Sequence, residues 1–248
     1  MVLITGPTGS GKTTTLYACL NAIKGVDMNI CTVENPVEYK LKLINQVQVR
    51  SEINLDFATV LRAFLRQDPD VIMLGEIRDE ETATIAVEAA LTGHLVFATL
   101  HTNDAPSTAS RLVDMGVEPF LVSAALLCIV SQRLARRVCK TCKAPDTTIT
   151  PELLKDIGLP PESINGTYYR GKGCDKCATT GYKGRVGVHE VMYTSEKIRR
   201  LIIQKSGPDD LMKAAIEGGM KTLREDIIFK FTQGLTTPEE IFALSRSD

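Results

Sequence analysis

Short, wholly apolar runs alternate along this chain with longer segments in which apolar positions recur every three or four residues. Val2-Leu3-Ile4, Ile30 to Glu34, Asp70 to Gly75 and His94 to Thr99 are the short runs and read as buried strands. The segments between them read as helices: one following Lys12, one from Phe57 to Arg66 with Asp56 as N-cap, and one capped by Asp79 that runs through Thr92. Two more are predicted from Pro106 to Met115 and from Pro119 to Val130, whereas Asn35 to Ser51 reads as a loop. Strands alternating with helices predict βαβ units, an α/β class and a mainly parallel sheet covered on both faces. The periodicity lapses between Cys139 and Arg185, where Gly, Pro, Lys and Cys replace it, and Val186 to Met192 returns as a strand. From Ser195 onward the pattern is helical, with Pro208 and Pro238 suited to first turns. The expected organisation is a core over 1–137, a cysteine-bearing lobe with its return strand over 138–190, and a helical region over 191–248.

The first strand and helix flank Gly6-Pro7-Thr8-Gly9-Ser10-Gly11-Lys12-Thr13-Thr14. Strand, glycine loop, then helix is the context in which this spacing makes a phosphate cradle. The glycines let several backbone N–H groups converge, and the helix N-terminus adds positive potential. Lys12 can reach the β- and γ-phosphates of a nucleoside triphosphate, and the Thr13 hydroxyl can ligate Mg²⁺. A hydrolytic site also needs acids at the carboxyl ends of neighbouring strands. Glu76 follows the apolar strand Val71 to Gly75, and Glu34 and Glu38 follow the strand before it. Taken alone, Glu34 and Glu38 read equally well as solvated loop charges.

Four ordered motifs resemble the secretion ATPase family, which drives type II secretion and type IV pilus assembly. Besides the P-loop they are Thr32-Val33-Glu34-Asn35-Pro36-Val37-Glu38, similar to the family's aspartate box, Leu65 to Asp70 with Gly75-Glu76-Ile77-Arg78-Asp79, and Thr92 to Asn103, similar to its histidine box. The resemblance covers nearly the whole chain and implies a RecA-like P-loop NTPase core that hydrolyses ATP with Mg²⁺. It implies that Glu38 polarises the attacking water, that Glu76 is the Walker B acid, and that His101 senses the γ-phosphate. Arg62, Arg66 and Arg78 are candidates for neutralising charge or bridging subunits, or are ordinary surface ion-pair partners; Arg78 is placed with the nucleotide-binding set. His94 is either part of the histidine box or a satisfied histidine at a strand start. Asn35 stands where the family usually has Asp, and Ile227 where it often has Gly.

Seven cysteines in a chain without a signal-peptide pattern argue against a disulfide framework. Cys19, Cys31 and Cys128 sit in apolar segments and read as core. Cys139-x-x-Cys142 and Cys174-x-x-Cys177 read as two knuckles of one tetrahedral Zn²⁺ site, with thirty-one residues between them as a lobe around Pro151 to Tyr169. A redox dithiol lacks the βαβ surroundings it needs. Assembly-type members of the resembling family carry such a tetracysteine site.

Net charge is −1, and no apolar stretch is long enough to span a bilayer. These features fit a cytoplasmic protein with no global field for nucleic acid. Arg133, Arg136, Arg137, Lys140 and Lys143 nevertheless form a basic cluster, leaving a nucleic-acid motor as an alternative, with a non-hydrolysing nucleotide-binding scaffold as another. The resemblance implies a homohexamer docked on an inner-membrane platform protein, peripheral to that membrane through its partners, with pilus assembly ahead of type II secretion and no nucleic acid expected. Because the P-loop strand begins at residue 2, a preceding N-terminal region is expected, and this portion alone should hydrolyse ATP slowly.

Overall fold

The computed structural model describes residues 1–159, 163 and 166–245. It divides into two compact units: Met1–Ser131 with Val191–Met220, and Gln132–Glu190 with Lys221–Asp248.

The first unit is built on β1 (Val2–Thr5), β2 (Ile30–Glu34), β3 (Asn45–Gln48), β4 (Val71–Leu74), β5 (Leu95–Leu100) and the start of β6 (Cys128–Val138), in the order β3-β2-β4-β5-β1-β6. Neighbouring pairs are parallel, with Val2 opposite Phe97 and Cys128, and Ile30 opposite Val71. Side chains alternate between faces along a strand, and the apolar runs therefore feed two cores. Leu3, Val33, Ile72, Leu74, Val96 and Ala98 enter one, while Ile4, Ile30, Val71, Met73 and Phe97 enter the other. The first core is covered by α2 (Phe57–Phe64), α3 (Glu80–Leu91), α4 (Ala105–Asp114), α5 (Pro119–Ala125), and later α7 (Glu196–Ile203) and α8 (Pro208–Glu217). The second is covered by α1 (Lys12–Ile23), through Leu16, Tyr17 and Leu20. Asp56, Asp79 and Asp104 cap α2, α3 and α4, accepting the N–H groups of Thr59, Thr82 and Ser107 at 2.8, 2.8 and 2.7 Å.

Two sequence-based expectations fail here. The helix expected from Pro119 to Val130 ends at Ala125, and Cys128-Ile129-Val130 opens β6 instead. A continuous apolar run has no period to distinguish helix from strand, and pairing with Val2 to Ile4 decides it. The loop expected over Asn35 to Ser51 contains β3, a half-exposed strand whose Gln-rich sequence carries little apolar signal.

The second unit holds the rest of β6, whose other neighbour is β9 (Tyr182–Tyr193), a strand longer than Val186 to Met192. It also holds β7 (Lys143–Pro145) paired antiparallel with β8 (Tyr169–Gly171), α6 (Pro151–Asp156), α9 (Leu223–Thr232) and α10 (Pro238–Ser245). Residues 160–162, 164 and 165 of the lobe expected around Pro151 to Tyr169 lie outside the described residues. The core of this unit comprises Ala135, Leu154, Ile157, Val188, Leu223, Ile227 and Ile241, with Tyr168 and Phe231 stacked at 4.7 Å between ring centroids. Ile227 is 0% exposed in this core, which accounts for a large apolar residue at that position. Arg136 grips α10 from β6: its backbone N–H and its Nε donate to Glu240 at 2.6 and 2.8 Å, and its guanidinium lies 4.2 Å from the centre of the Tyr182 ring.

Candidate functional site

The turn after β1 needs glycine. Gly6, Gly9 and Gly11 have φ of 138°, 82° and 87°, a region that side chains disfavour. Gly11 leads directly into α1, whose first turn carries no acidic residue to offset the positive end of the helix. Lys12 Nζ donates to the carbonyls of Gly6 and Pro7 at 2.8 and 3.1 Å, which keeps the ammonium over the loop. Thr13 follows as the second residue of α1. Backbone donors, one cation and one hydroxyl thus share the end of β1, a donor set suited to a phosphate chain and a hard cation.

Neighbouring strands bring charge to the same place. Glu76 follows β4, with its side chain 12% exposed. Its carboxylate pairs with Arg78 at 2.6 Å and lies 3.7 Å from His101 Nε2. His101 titrates below its ordinary value because burial disfavours its cation; the Lys12 charge adds to this and Glu76 opposes it. Lys12, Glu76, Arg78 and His101 are therefore gathered within electrostatic reach, and these surroundings favour the neutral imidazole of His101.

Backbone and hydroxyl contacts fix this grouping. Thr5, the last residue before the glycine loop, accepts the Thr102 N–H at 3.0 Å and lies 3.0 Å from the Leu100 carbonyl. The segment bearing His101 is thereby stitched to the foot of the P-loop. Ile77 N–H donates to the Thr99 carbonyl at 2.9 Å, which stitches the segment bearing Glu76 to β5. Gly75 permits close approach to β2: a Cβ there would sit 3.3 Å from both Glu34 Cα and the Val33 carbonyl oxygen. Gly75→Ala is expected to lower stability by about 1–3 kcal/mol, readable as a fall in thermal midpoint.

The remaining predicted residues are placed less centrally. Glu38 is exposed in the loop after β2. Glu34 is 2% exposed and turned into the protein, accepting from Tyr17, from Thr32 at 2.7 Å and from Gln46 at 3.1 Å. It is a buried structural carboxylate rather than a phosphate-facing one. His94 is likewise local, with Nδ1 2.9 Å from the Ala89 carbonyl oxygen and 3.1 Å from Thr92 Oγ1. Arg62 pairs with Glu81 between α2 and α3, and Arg66 is exposed. In the basic cluster, Arg133 is buried, which removes it from any continuous surface track, and the exposed Arg136 has its charge paired with Glu240.

The four knuckle cysteines meet. Cys139 and Cys174 sulfurs lie 4.0 Å apart, Cys142 and Cys177 3.9 Å, and Cys174 and Cys177 3.7 Å. All four fall within 4.8 Å of one another. With Zn–S near 2.3 Å, a tetrahedral ion sets its sulfurs about 3.8 Å apart, so the cluster fits Zn²⁺. A tight turn after Cys174 brings the Cys174 N–H to 3.2 Å from the Cys177 sulfur. Gly173 and Gly181, at φ of 91° and 77°, shape the adjoining backbone, where a Cβ on either would meet a carbonyl oxygen at 2.6 Å.

Comparison with known proteins gives the family. A family model described as type II/IV secretion system protein matches residues 1–243. The chain is 53% identical to the type IV pilus assembly ATPase PilB of Myxococcus xanthus, across 100% of this chain and 44% of that protein. It is 47% identical to type II secretion system protein E of Pectobacterium carotovorum, across 100% of this chain and 49% of that one. Among solved structures, the Legionella pneumophila ATPase DotB superposes with a TM-score of 0.70 at 25% identity, covering 100% of this chain and 60% of that chain. The chain spans about half the length of the curated relatives it matches. With a glycine loop on a mostly parallel sheet, a four-cysteine cluster and a family model matching residues 1–243, the chain belongs to the type II/IV secretion system protein family.

Proposed function

We propose that this chain is the ATP-hydrolysing portion of a hexameric motor that powers type IV pilus assembly at the cytoplasmic face of the inner membrane, acting through a polytopic platform protein. The observation that carries the hydrolytic reading is the convergence of Lys12, Glu76, Arg78 and His101 at the P-loop. Phosphoryl transfer asks a protein mainly for positioning and charge stabilisation, which is what such a grouping offers. Lys12 and the loop N–H groups would hold the phosphates, with Thr13 and Glu76 on Mg²⁺ and its waters. Bound Mg²⁺ would supply neutralisation of phosphate charge. Glu38 would polarise the attacking water, and neutral His101 would act as a hydrogen-bonding sensor of the γ-phosphate. Zn²⁺ on the four thiolates leaves no open position and would organise the lobe rather than react.

Two pilus assembly ATPases at 53% and 54% identity support the pilus reading by a narrow margin, since type II secretion proteins reach 47% to 51% and another pilus assembly ATPase stands at 46%. Among the described residues no helix is long and apolar enough to cross a membrane, in keeping with attachment through a partner. Deletion of the gene in the parent cell tests the assignment: surface pili should disappear while secreted enzymes persist, and the reverse outcome assigns secretion. Glu38→Gln is expected to cut ATP turnover by about 10²-fold or more with nucleotide affinity retained, measured by phosphate release and equilibrium binding.

A further inference from the structure

Tyr17 lies five residues beyond Lys12 on α1 and is 0% exposed, an unusual place for a phenol in a helix face that otherwise buries Leu16 and Leu20. Its hydroxyl donates to the Glu34 carboxylate, itself buried. The loop that follows β2, which carries Glu38 and Tyr39, reaches the same place, and Gln46 Nε2 lies 3.4 Å from the Tyr17 hydroxyl. The Tyr39 ring meets the Tyr17 ring edge to face, with 4.7 Å between centroids. From the other side Gln46 of β3 donates to Glu34 at 3.1 Å and to the Tyr39 carbonyl at 3.2 Å, while accepting the Leu41 N–H at 2.6 Å. A buried phenol and a buried carboxylate each cost stability unless partnered, and here both are partnered, by the loop bearing Glu38 and by β3.

We propose that Tyr17 is a positioning residue for ATP hydrolysis: its hydroxyl, through Glu34 and Gln46, holds the loop bearing Glu38 relative to the P-loop helix. This rests on the reading of Glu38 as the residue that polarises water. Lys12 and Tyr17 share one rigid helix, about 7.5 Å apart along its axis. Anchoring the loop to that helix therefore sets where the Glu38 side chain starts relative to the phosphates. Glu38 is exposed and lies outside regular secondary structure, so its placement depends on such anchors. A displacement of about 1 Å at a reacting group can lower turnover by about 10²-fold.

The test is a cycle of Tyr17→Phe, Glu38→Gln and the double variant in the full-length protein, read as kcat, KM for ATP and affinity for a fluorescent ATP analogue. Tyr17→Phe keeps the ring against Tyr39 and removes only the hydroxyl. We expect kcat to fall at least about tenfold with analogue affinity within about twofold, and the double variant to be no slower than Glu38→Gln alone. Parental turnover by Tyr17→Phe with a slow Glu38→Gln overturns the positioning role and spares the reading of Glu38. Parental turnover by Glu38→Gln overturns both. Multiplicative losses in the double variant, or an equal loss of analogue binding, assign Tyr17 to support of the P-loop and overturn the proposal. If Tyr17→Phe melts early, Tyr17→Phe with Glu34→Gln removes the stranded charge and is scored by the same criteria.

Discussion

Lys12→Ala should abolish measurable ATP turnover, lowering phosphate release by about 10²- to 10³-fold, the range seen when one charge-stabilising donor is lost from a phosphoryl or acyl transfer site. The expectation is large because Lys12 is the cation seated over the glycine loop, donating to its Gly6 and Pro7 carbonyls. Arg78 is 64% exposed on its side chain and already paired with Glu76, so it is poorly placed to substitute. The effect should appear in both turnover and affinity, since a ground-state phosphate and a developing transition state both meet this ammonium. The same variant separates a motor from a nucleotide-binding scaffold: a scaffold would show no phosphate release with the parental Lys12 to begin with. Circular dichroism should be unchanged, because Lys12 is partly exposed and contributes nothing to either core.

The second large effect concerns the thiolates. Metal analysis should find one Zn²⁺ per chain, and Cys174→Ser should release it and unfold the lobe, with a stability loss above about 4 kcal/mol for the second unit. The reason is local. Among the described residues between Cys139 and Gly181, regular structure is confined to a three-residue ladder of β7 with β8 and the short α6, with single turns besides. Leu154, Ile157 and Tyr168 tie the middle of this segment to the core, but the two cysteine turns themselves have little apolar area with which to offset their chain entropy. Hydrogen exchange would show protection vanishing around Lys143–Pro145 and Tyr169–Gly171 while β1, β4 and β5 stay protected. Uniform loss of protection across both units, or full protection after metal removal, would contradict a local structural metal.

The parts of this molecule legible in its sequence are those in which one residue type has one physical use. Glycines at positive φ, a lysine after them and apolar runs buried on both faces announced β1, α1, β4 and β5. Cysteine spacing announced a cluster whose sulfurs meet across an intervening lobe. Legibility ended where one pattern serves two structures. The apolar run after Pro119 is half helix and half strand, and only pairing with β1 tells them apart. Glu34 and Glu38 were indistinguishable as acids near a strand end, yet one is 2% exposed and the other lies in solvent. Thr5, Thr102, Tyr17 and Gln46 carry no signal in the sequence because their partners lie far off along the chain, and no spacing rule links a threonine at residue 5 to one at residue 102.

The split of the chain between its two units has a consequence for synthesis. Helices α7 and α8 cover α4 and α5, yet residues 132–190 leave the ribosome before them. At about 5–20 residues per second that interval lasts roughly 3–12 s, during which Leu112, Val122 and their neighbours wait without their cover. A nascent chain of this design has a sticky flank for seconds at a stretch, so its yield in cells should depend on chaperone supply and on translation speed through the cysteine lobe.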